Sequence, residues 1–324
     1  MEFSFAGDCG GGTLLGLHHR GRYNRVFDVR DCRLQSRLSN RIADTVRSCA
    51  SAGELPAYDL KTHEGILRFL VVREGRNTGE VMANLVVSEY PHKGVEDLVR
   101  CVLERIPEIT TFVVTLHRGK AQVAIGEREF VLKGSGMISE ICGGIEFDIS
   151  AASFFQTNTD QAAVLNEQIA TLAGNLTGAS VLDLYCGTGG ISLHLAKRAA
   201  RVIGVEQVEE AVADARRNAE KNGTGNCTFV TGRVEEEIEA LIEENRQFDL
   251  VIADPPRAGI HKSVLKALIR LGAPSLIYVS CNPTSMAADA GVLCEGGFRL
   301  RSLQPVDLFP QTPHCEAIAH LTVS

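Results

Sequence analysis

The stretch Val181-Leu-Asp-Leu-Tyr-Cys-Gly-Thr-Gly-Gly190 decides the fold of this chain. Its apolar first half, which ends at Leu184, is typical of a short buried strand. The glycines that follow let the backbone turn tightly into a helix, which we expect to begin near Ile191. A strand that turns through glycines into a helix predicts a nucleotide-type pocket at the turn.

A second apolar run, from Val202 to Val205, ends at Glu206. An acidic side chain at the end of the second strand of such a unit is well placed to accept hydrogen bonds from ribose hydroxyls. The ligand is therefore expected to be a nucleoside.

The spacing of the glycines distinguishes between two candidate ligands that contain a nucleoside, NAD and S-adenosylmethionine. A dinucleotide-binding turn has the pattern Gly-x-Gly-x-x-Gly, whereas Gly187 and Gly189 are followed by Ser192 at the third glycine position. This difference weakens the case for a pyrophosphate, and S-adenosylmethionine has no phosphate to bind. The sequence thus favours the methyl donor over NAD, and a glycine-rich turn without a ligand is the alternative explanation.

The composition is that of a globular protein of enzyme size. The chain has 324 residues, enough for two domains, and 44% of them are hydrophobic. No apolar run is long enough for a membrane span, and the acidic Glu2 and Asp8 stand where a signal peptide is basic. We therefore expect a cytoplasmic protein whose ten cysteines are reduced.

The formal net charge of −7 argues against a surface that is positive throughout. Residues 1 to 50 nevertheless hold eight arginines against five acids, with a basic cluster at His18, His19, Arg20, Arg22 and Arg25. A solvated loop with a few arginines is the simplest explanation, and nucleic-acid contact is the alternative.

The two halves of the chain have different patterns. Residues 1–150 consist mainly of short alternating or β-branched runs between turn residues, among them 121–125, which predicts an antiparallel sheet interrupted by helices near 36–52 and 94–106. In residues 151–324 strands alternate with helices, which predicts a parallel sheet covered on both faces. The expected fold is α/β, with a parallel-rich second domain after a smaller α+β, mainly antiparallel first domain.

Ligands of such sheets bind beyond the carboxyl ends of the strands, and Asp254-Pro-Pro-Arg257 follows one of those ends. Consecutive prolines fix φ, so they would hold the Asp254 carboxylate and the Arg257 guanidinium in set directions. A structural turn is the alternative. Related motifs that end in an aromatic residue mark methylation of exocyclic amines, and the arginine here argues against that reaction.

Cys281 and Glu316 are candidates for the chemistry. Cys281 follows the next predicted strand, and Pro283 suits the first position of a helix. A thiol beside a helix N-terminus has its thiolate favoured by the backbone dipole, which makes Cys281 a candidate nucleophile. A small buried residue at a strand end is the alternative. Glu316 begins the last apolar run at the same edge and is a candidate base.

Together these motifs resemble the RNA uracil-5-methyltransferases, which form 5-methyluridine in transfer or ribosomal RNA. The resemblance runs from about Met1 to the C-terminus and rests on Phe154-Phe-Gln-Thr-Asn158, Asp183-Leu-Tyr-Cys-Gly-Thr-Gly189, Asp254-Pro-Pro-Arg257, Ser280-Cys-Asn-Pro-Thr-Ser285 and His314-Cys-Glu316. It implies a class I, Rossmann-like methyltransferase domain at 151–324 that uses S-adenosylmethionine. The domain at 1–150 would then face the RNA.

The resemblance also implies roles for single residues. Cys281 would add to C6 of the uracil, and Glu316 would remove the proton from C5 of a uridine flipped into the pocket. Phe155 and Arg257 would contact the substrate. The donor would be held by Gln156, Tyr185, Gly187, Gly189, Glu206 and Asp254.

The chain departs from the family pattern at its start. Family members usually carry a TRAM domain and a [4Fe-4S] cluster ahead of this point. Cys32 resembles the last cluster ligand, and Cys9 cannot replace the other three, so we expect no cluster and a truncated or minimal form. Arg233 stands where many methyltransferases place an acid near the adenine amine.

The segment 254–259 resembles the ribosomal branch of the family, so 23S rRNA is favoured over tRNA as the substrate. A catalytically weakened module that binds or folds RNA, and a methyltransferase for a non-RNA acceptor, are the alternatives. No metal and no protein partner is indicated, and a monomer is expected.

Overall fold

Residues 1–7, 12–19 and 21–323 are described by the structure, a computed structural model. Asp8, Cys9 and Arg20, which figure in the expectations above, lie outside those ranges. The chain divides into two units, one formed by Met1–Glu140 with Ile149–Ala152 and the other by Ile141–Asp148 with Ser153–Ser324.

The first unit contains a seven-stranded sheet and two helices. Neighbouring strands pair antiparallel, except for β5 and β6, which are parallel. In the order in which they lie across the sheet, the strands are β3 (Arg22–Asp28), β2 (Thr13–His19), β1 (Glu2–Gly7), β4 (Leu67–Glu74), β5 (Val81–Val87), β6 (Thr111–Leu116) and β7 (Arg128–Lys133). The helices are α1 (Arg37–Ala52) and α2 (Lys93–Arg105).

Helix α1 begins where Ser36 caps it, because the Ser36 side chain accepts a hydrogen bond from the Ser39 backbone N–H. Its apolar face, with Ile42 and Val46, is buried in the core of this unit. Cys49 and Cys101 form a disulfide between α1 and α2, with their Cα atoms 6.2 Å apart. The expectation that all cysteines are reduced is therefore wrong for this pair.

The predicted strand at 121–125 is also wrong. That segment is irregular, and the Ala121 carbonyl accepts hydrogen bonds from the side chains of Arg68 (2.8 Å) and His117 (2.9 Å) instead of from a neighbouring strand. The segment's apolar alternation thus did not lead to strand pairing. Val123 and Ile125 remain exposed.

A hairpin of β8 (Met137–Cys142) and β9 (Ile145–Ser150) precedes the second seven-stranded sheet. The strands of that sheet lie in the order β12 (Cys227–Thr231), β11 (Arg201–Glu206), β10 (Ser180–Leu184), β13 (Leu250–Ala253), β14 (Ser275–Ser280), β16 (Glu316–Val323) and β15 (Phe298–Val306). The helices are α3 (Thr159–Ala173), α4 (Gly190–Ala196), α5 (Glu209–Lys221), α6 (Val234–Glu243), α7 (Lys262–Leu271) and α8 (Pro283–Glu295). The predicted α/β fold with a parallel-rich sheet is confirmed.

The central strands of this sheet are apolar on both faces because apolar clusters cover each side. Val181 packs into one cluster and Leu182 into the other, as alternation along a strand requires. Strands buried in this way hold their carboxyl ends at fixed positions. Those ends are where a site can be built.

The sheet ends in two antiparallel strands, of which the sequence pattern indicated β16, in the apolar run that Glu316 begins, but not β15. Strand β16 pairs antiparallel with β14 on one side and with β15 on the other. Its first residue therefore lies at the edge where β14 and the parallel strands finish.

Measured against the thickness of a bilayer, every helix in the described ranges is too short or too polar to span it.

Candidate active site

The glycine turn after β10 has the strained geometry of a ligand-binding loop. Tyr185, directly after the strand, has φ of 64°, a left-handed conformation that is uncommon for a non-glycine residue. Gly189 has φ of 84°, and a Cβ at this position would lie 3.1 Å from the Phe229 ring. A side chain at 189 would thus be strained and crowded.

Glu206, at the end of β11, is hydrogen-bonded to this turn. Its Oε2 accepts the Gly187 N–H at 3.2 Å and its Oε1 accepts the Val208 N–H at 2.9 Å. The carboxylate therefore fixes the turn beside the second strand. Each oxygen keeps a further lone pair for another donor.

A cavity opens beside the turn, within the second unit. Of the predicted donor contacts, it is lined by Gln156, Tyr185, Gly187 and Asp254, and Phe155 lines it as well. Glu206 and Gly189 are not part of its wall. Other residues complete the lining, among them Phe147, Phe154, Asn166, Asp183 and Thr188.

Asp183 is a residue of this cavity that the sequence analysis did not single out. It is fully buried, its Oδ2 accepts the Ser192 hydroxyl at 2.5 Å, and no described residue donates a hydrogen bond to its Oδ1. Burial raises its pKa to about 7. The signal available in the sequence was an acid inside an otherwise apolar strand.

Asp254 connects this cavity to the candidate catalytic pair. It lines the cavity from the end of β13, and its backbone N–H donates to the Leu184 carbonyl at 3.3 Å. Burial first, and then the nearby carboxylates of Glu316 and Asp183, raise its pKa to about 8. A cation in the cavity would favour the ionised forms of both aspartates.

The structure brings Cys281 and Glu316 together through strand register. Ser280 on β14 pairs with Ala317 on β16 in an antiparallel ladder. The next pair of positions along that ladder is Cys281 and Glu316, one residue beyond each strand partner. Two residues that are 35 positions apart in sequence thus meet at the edge where the parallel strands end.

The electrostatics of this pair differ from the expectation. The pKa of the Cys281 thiol is raised, first by burial and then by the Glu316 carboxylate, while Arg257 acts in the opposite direction. Burial likewise raises the pKa of Glu316, against the pull of Arg257. Burial and a neighbouring carboxylate thus oppose the effect that the sequence analysis expected from the helix dipole on the Cys281 thiolate.

The loop that carries Asp254 and Arg257 is braced by the start of α8. Asn282 Nδ2 donates to the Arg257 carbonyl at 2.9 Å, and Ser285 Oγ donates to the same carbonyl at 3.4 Å. Asp289 on α8 accepts the Ile260 N–H at 2.8 Å. The loop conformation thus depends on the residues that follow Cys281.

Two remaining sequence expectations concern Arg233 and Cys32. Arg233 is exposed and pairs with Glu236 at 3.3 Å, so its charge is directed to its own helix. The Cys32 backbone is held by the side chain of Asn40, which accepts its N–H at 2.9 Å. Among the described residues, no group of three or more His, Cys, Asp or Glu side chains is arranged to hold a metal ion.

The fold and the residues gathered at its strand ends define a Rossmann-like methyltransferase. A profile of the tRNA (uracil-5-)-methyltransferase family matches residues 81–323. The chain belongs to this family, as the resemblance predicted.

Relatives support the assignment over nearly the whole chain. An uncharacterised RNA methyltransferase of Halalkalibacterium halodurans is 38% identical over 97% of this chain and 69% of its own length. Another, from Chlorobaculum tepidum, is 39% identical over 94% of this chain, which spans only 64% of that relative.

A solved structure shows the same architecture. The tRNA (uracil-54, C5)-methyltransferase of Pyrococcus abyssi, in complex with S-adenosyl-L-homocysteine, superposes with a TM-score of 0.78 at 29% identity. The match covers 99% of this chain and 75% of that one.

Proposed function

We propose that this chain transfers a methyl group from S-adenosylmethionine to C5 of a uridine in RNA. The observation that carries the proposal is the register that places Cys281 beside Glu316, next to the Asp254 that lines the cavity. A nucleophile, a base and a donor pocket at one edge are what C5 methylation requires.

The cavity fits the methyl donor. S-adenosylmethionine carries a sulfonium and an ammonium group, and the buried Asp183 and the half-buried Asp254 both line the cavity. The unpartnered Oδ1 of Asp183 is a ready acceptor for a cationic donor group. Phe155 and Tyr185 supply aromatic surface, Gln156 a carboxamide, and Glu206 an acceptor for ribose hydroxyls at the margin.

The first step belongs to Cys281. Its thiol loses a proton to solvent, and Sγ then forms a bond to C6 of the uracil, which moves an electron pair onto C5 and O4. The Arg257 guanidinium, which lowers the pKa of this thiol, favours the ionised sulfur. S-adenosylmethionine, when bound, would supply an electrophilic methyl group to C5, with the methyl–sulfur bond breaking to leave S-adenosylhomocysteine.

The second step belongs to Glu316. Its carboxylate takes the proton from C5, the electron pair restores the C5–C6 double bond, and the Sγ–C6 bond breaks with the pair returning to sulfur. Because burial raises the pKa of Glu316, the carboxylate is a stronger base than an exposed glutamate. The product is 5-methyluridine, and the thiolate regains a proton from solvent.

The remaining roles follow from this mechanism. Since the ring must reach a partly buried thiol, the uridine is flipped out of its stack, with Phe155 and Arg257 as its contacts. Residues 151–324 form the catalytic domain, and residues 1–150 face the RNA. The relatives are longer than this chain, so the activity of the isolated chain is part of what the experiment tests.

The decisive experiment uses RNA labelled with tritium at C5 of uridine and S-adenosylmethionine labelled in its methyl group. Transcripts of tRNA and of 23S rRNA fragments are offered separately, because the segment 254–259 favours ribosomal RNA while the Pyrococcus abyssi structure is a tRNA enzyme. We expect methyl incorporation and tritium release in equal amounts. Methyl incorporation without tritium release would exclude C5 as the acceptor.

A protein that binds RNA and donor but releases no tritium would instead be a binding or folding module. Methylation of a protein or small molecule that RNA does not inhibit would indicate a non-RNA acceptor. Either result would replace the proposed function.

A further inference from the structure

A second cavity lies entirely within the first unit, and the function proposed above does not use it. Its volume is about 540 Å³, within the range of about 300–1,000 Å³ that small-molecule sites occupy. Strands β1, β2, β3 and β4 contribute to its wall, together with residues 57–61 and Gln122. Such sites are usually apolar, whereas most of the exposed wall here is polar. The cavity is therefore suited to a polar ligand.

The charged side chains of this wall are mostly basic. Arg25 and Lys61 are exposed at the cavity, and Arg25 forms no ion pair with any other residue that the structure describes. Asp59 supplies the one carboxylate among the wall's described side chains. Its Oδ1 accepts the backbone N–H groups of Lys61 (2.7 Å) and Thr62 (2.9 Å), which lowers its pKa. The balance of charge favours an anion.

The buried part of the wall has hydrogen-bonding capacity that the described residues leave unused. Arg68 is 3% exposed, its guanidinium lies 4.2 Å from the centre of the Tyr58 ring, and its Nε has no hydrogen-bond partner among the described residues. His18 Nε2 is bonded to Ser4 Oγ at 2.9 Å, whereas His18 Nδ1 is buried with no partner in the described part of the chain. Buried polar groups without a partner are costly, and a polar ligand in the cavity would satisfy them.

We propose that this cavity binds one nucleotide of the substrate RNA, other than the uridine that reacts. Arg25 and Lys61 contact its phosphate, while His18 and the carboxamide of Asn24 bond the sugar or the base. A nucleotide fits better than an acidic peptide because the wall combines cations with an arginine–aromatic pair and amide groups, the elements that recognise unstacked RNA. The inference rests on RNA being the substrate, as proposed above.

The test measures RNA binding by the full chain without the methyl donor. The variants are Arg25→Ala and Lys61→Ala, and the matched control is Lys93→Ala, an exposed lysine at the start of α2 outside the cavity. Fluorescence anisotropy with labelled tRNA and 23S rRNA transcripts, measured separately, gives the Kd of each over a series of KCl concentrations. We expect each cavity variant to raise the Kd by about 3- to 10-fold and to flatten the slope of log K against log salt by about 0.7. The control should match the unmodified protein.

A second measurement separates a nucleotide site from a general anion surface. Uridine monophosphate should compete with the labelled RNA for the unmodified protein and lose that ability in Arg25→Ala. Competition by polyglutamate with equal potency would overturn the assignment. So would unchanged Kd values and salt slopes in both cavity variants, provided that thermal unfolding shows them to be folded.

The outcomes also distinguish this inference from the proposed function. If the chain binds RNA through Arg25 and Lys61 but never methylates it, the nucleotide site stands and the catalytic proposal fails. If methylation occurs and both variants bind RNA normally, the catalytic proposal stands and the nucleotide site is refuted.

Discussion

The ends of strands β10 and β14 both present a cysteine at the same edge of the sheet, yet their surroundings differ. Burial raises the thiol pKa of Cys186 after β10 and of Cys281 after β14. The groups that act next on Cys186 are the carboxylates of Asp183 and Glu206, which raise its pKa further. Around Cys281, the Arg257 guanidinium opposes the carboxylates.

The difference assigns separate tasks to the two strand ends. Under the proposed function, the Asp183 and Glu206 carboxylates near the β10 end suit the binding of the cationic methyl donor. At the β14 end, the Arg257 guanidinium favours ionisation of the Cys281 thiol, which suits nucleophilic attack. Changes at β14 should alter catalytic rate, and changes that neutralise carboxylates near β10 should alter donor affinity.

The largest effect is expected for Cys281→Ala. Loss of the nucleophile should lower turnover by about 10⁴-fold or more, while the Kd of S-adenosylmethionine changes little. A methyl-transfer assay measures the turnover, and isothermal titration calorimetry measures the Kd of S-adenosylmethionine. Cys294→Ala, an exposed cysteine on α8, is the control and should behave as the unmodified protein. Retained turnover in Cys281→Ala would refute covalent catalysis.

Glu316→Gln comes next, with turnover about 10²- to 10⁴-fold lower. Because the variant can still attack and methylate, a covalent complex of protein and RNA should accumulate and persist on a denaturing gel. The double variant that also carries Cys281→Ala should show no such band. If Glu316→Gln turned over without accumulating the adduct, another residue would be the base.

A smaller effect is expected for Arg257→Gln. Removing the guanidinium should raise the pKa of Cys281 further, because the charge that lowers it is lost. The pH profile of Cys281 alkylation by iodoacetamide should move to higher pH, and turnover should fall about tenfold, the effect of about 1.4 kcal/mol. Arg270→Gln on α7 is the control for removing a surface arginine, since Arg270 pairs with Glu239. An unchanged alkylation profile would show that Arg257 does not tune the thiol.

The smallest effect concerns the pH dependence of donor binding. The pKa values of Asp183 and Asp254 are raised to about 7 and about 8, so both carboxyls are largely protonated in the free protein below those values. A cationic donor favours the ionised forms, and its binding should release protons. Affinity should therefore rise with pH up to about 8, by at most about tenfold per pH unit for each proton released.

Calorimetry in buffers with different ionisation enthalpies counts the protons released by this binding. The Asp254→Asn variant should release fewer protons when it binds the donor, and its donor affinity should depend less on pH. S-adenosylhomocysteine, which lacks the sulfonium charge, should show a weaker dependence than S-adenosylmethionine. Equal dependence for both ligands would place the sulfonium away from these carboxylates.

Much of the second unit could be predicted because its elements are local patterns. Apolar runs such as 202–205 are buried on both faces, and the glycines after β10 occupy backbone conformations that few other residues adopt. Since parallel strands finish at one edge, the sequence alone predicts that Tyr185, Glu206 and Asp254 lie close together. The family followed from the same motifs.

Other features depended on tertiary context. Whether Asp183 keeps an unpaired oxygen depends on the position of Ser192 and on the cavity beyond it. The helix N-terminus after Cys281 was visible in the sequence, but the burial and the carboxylate that raise the pKa of this thiol were not. Likewise, alternation at 121–125 predicted a strand where the side chains of Arg68 and His117 take the Ala121 carbonyl.

The antiparallel pairing of β14 with β16 sets the positions of Cys281 and Glu316 relative to each other. Inserting one residue between Ala317 and Leu321 would slide Glu316 out of step with Cys281 and turn neighbouring side chains to the opposite face. The same insertion in residues 307–315, which precede the strand, would leave the alignment intact. We therefore expect the protein to tolerate a change in the length of segment 307–315, whereas a change of spacing within β14 or β16 would separate Cys281 from Glu316.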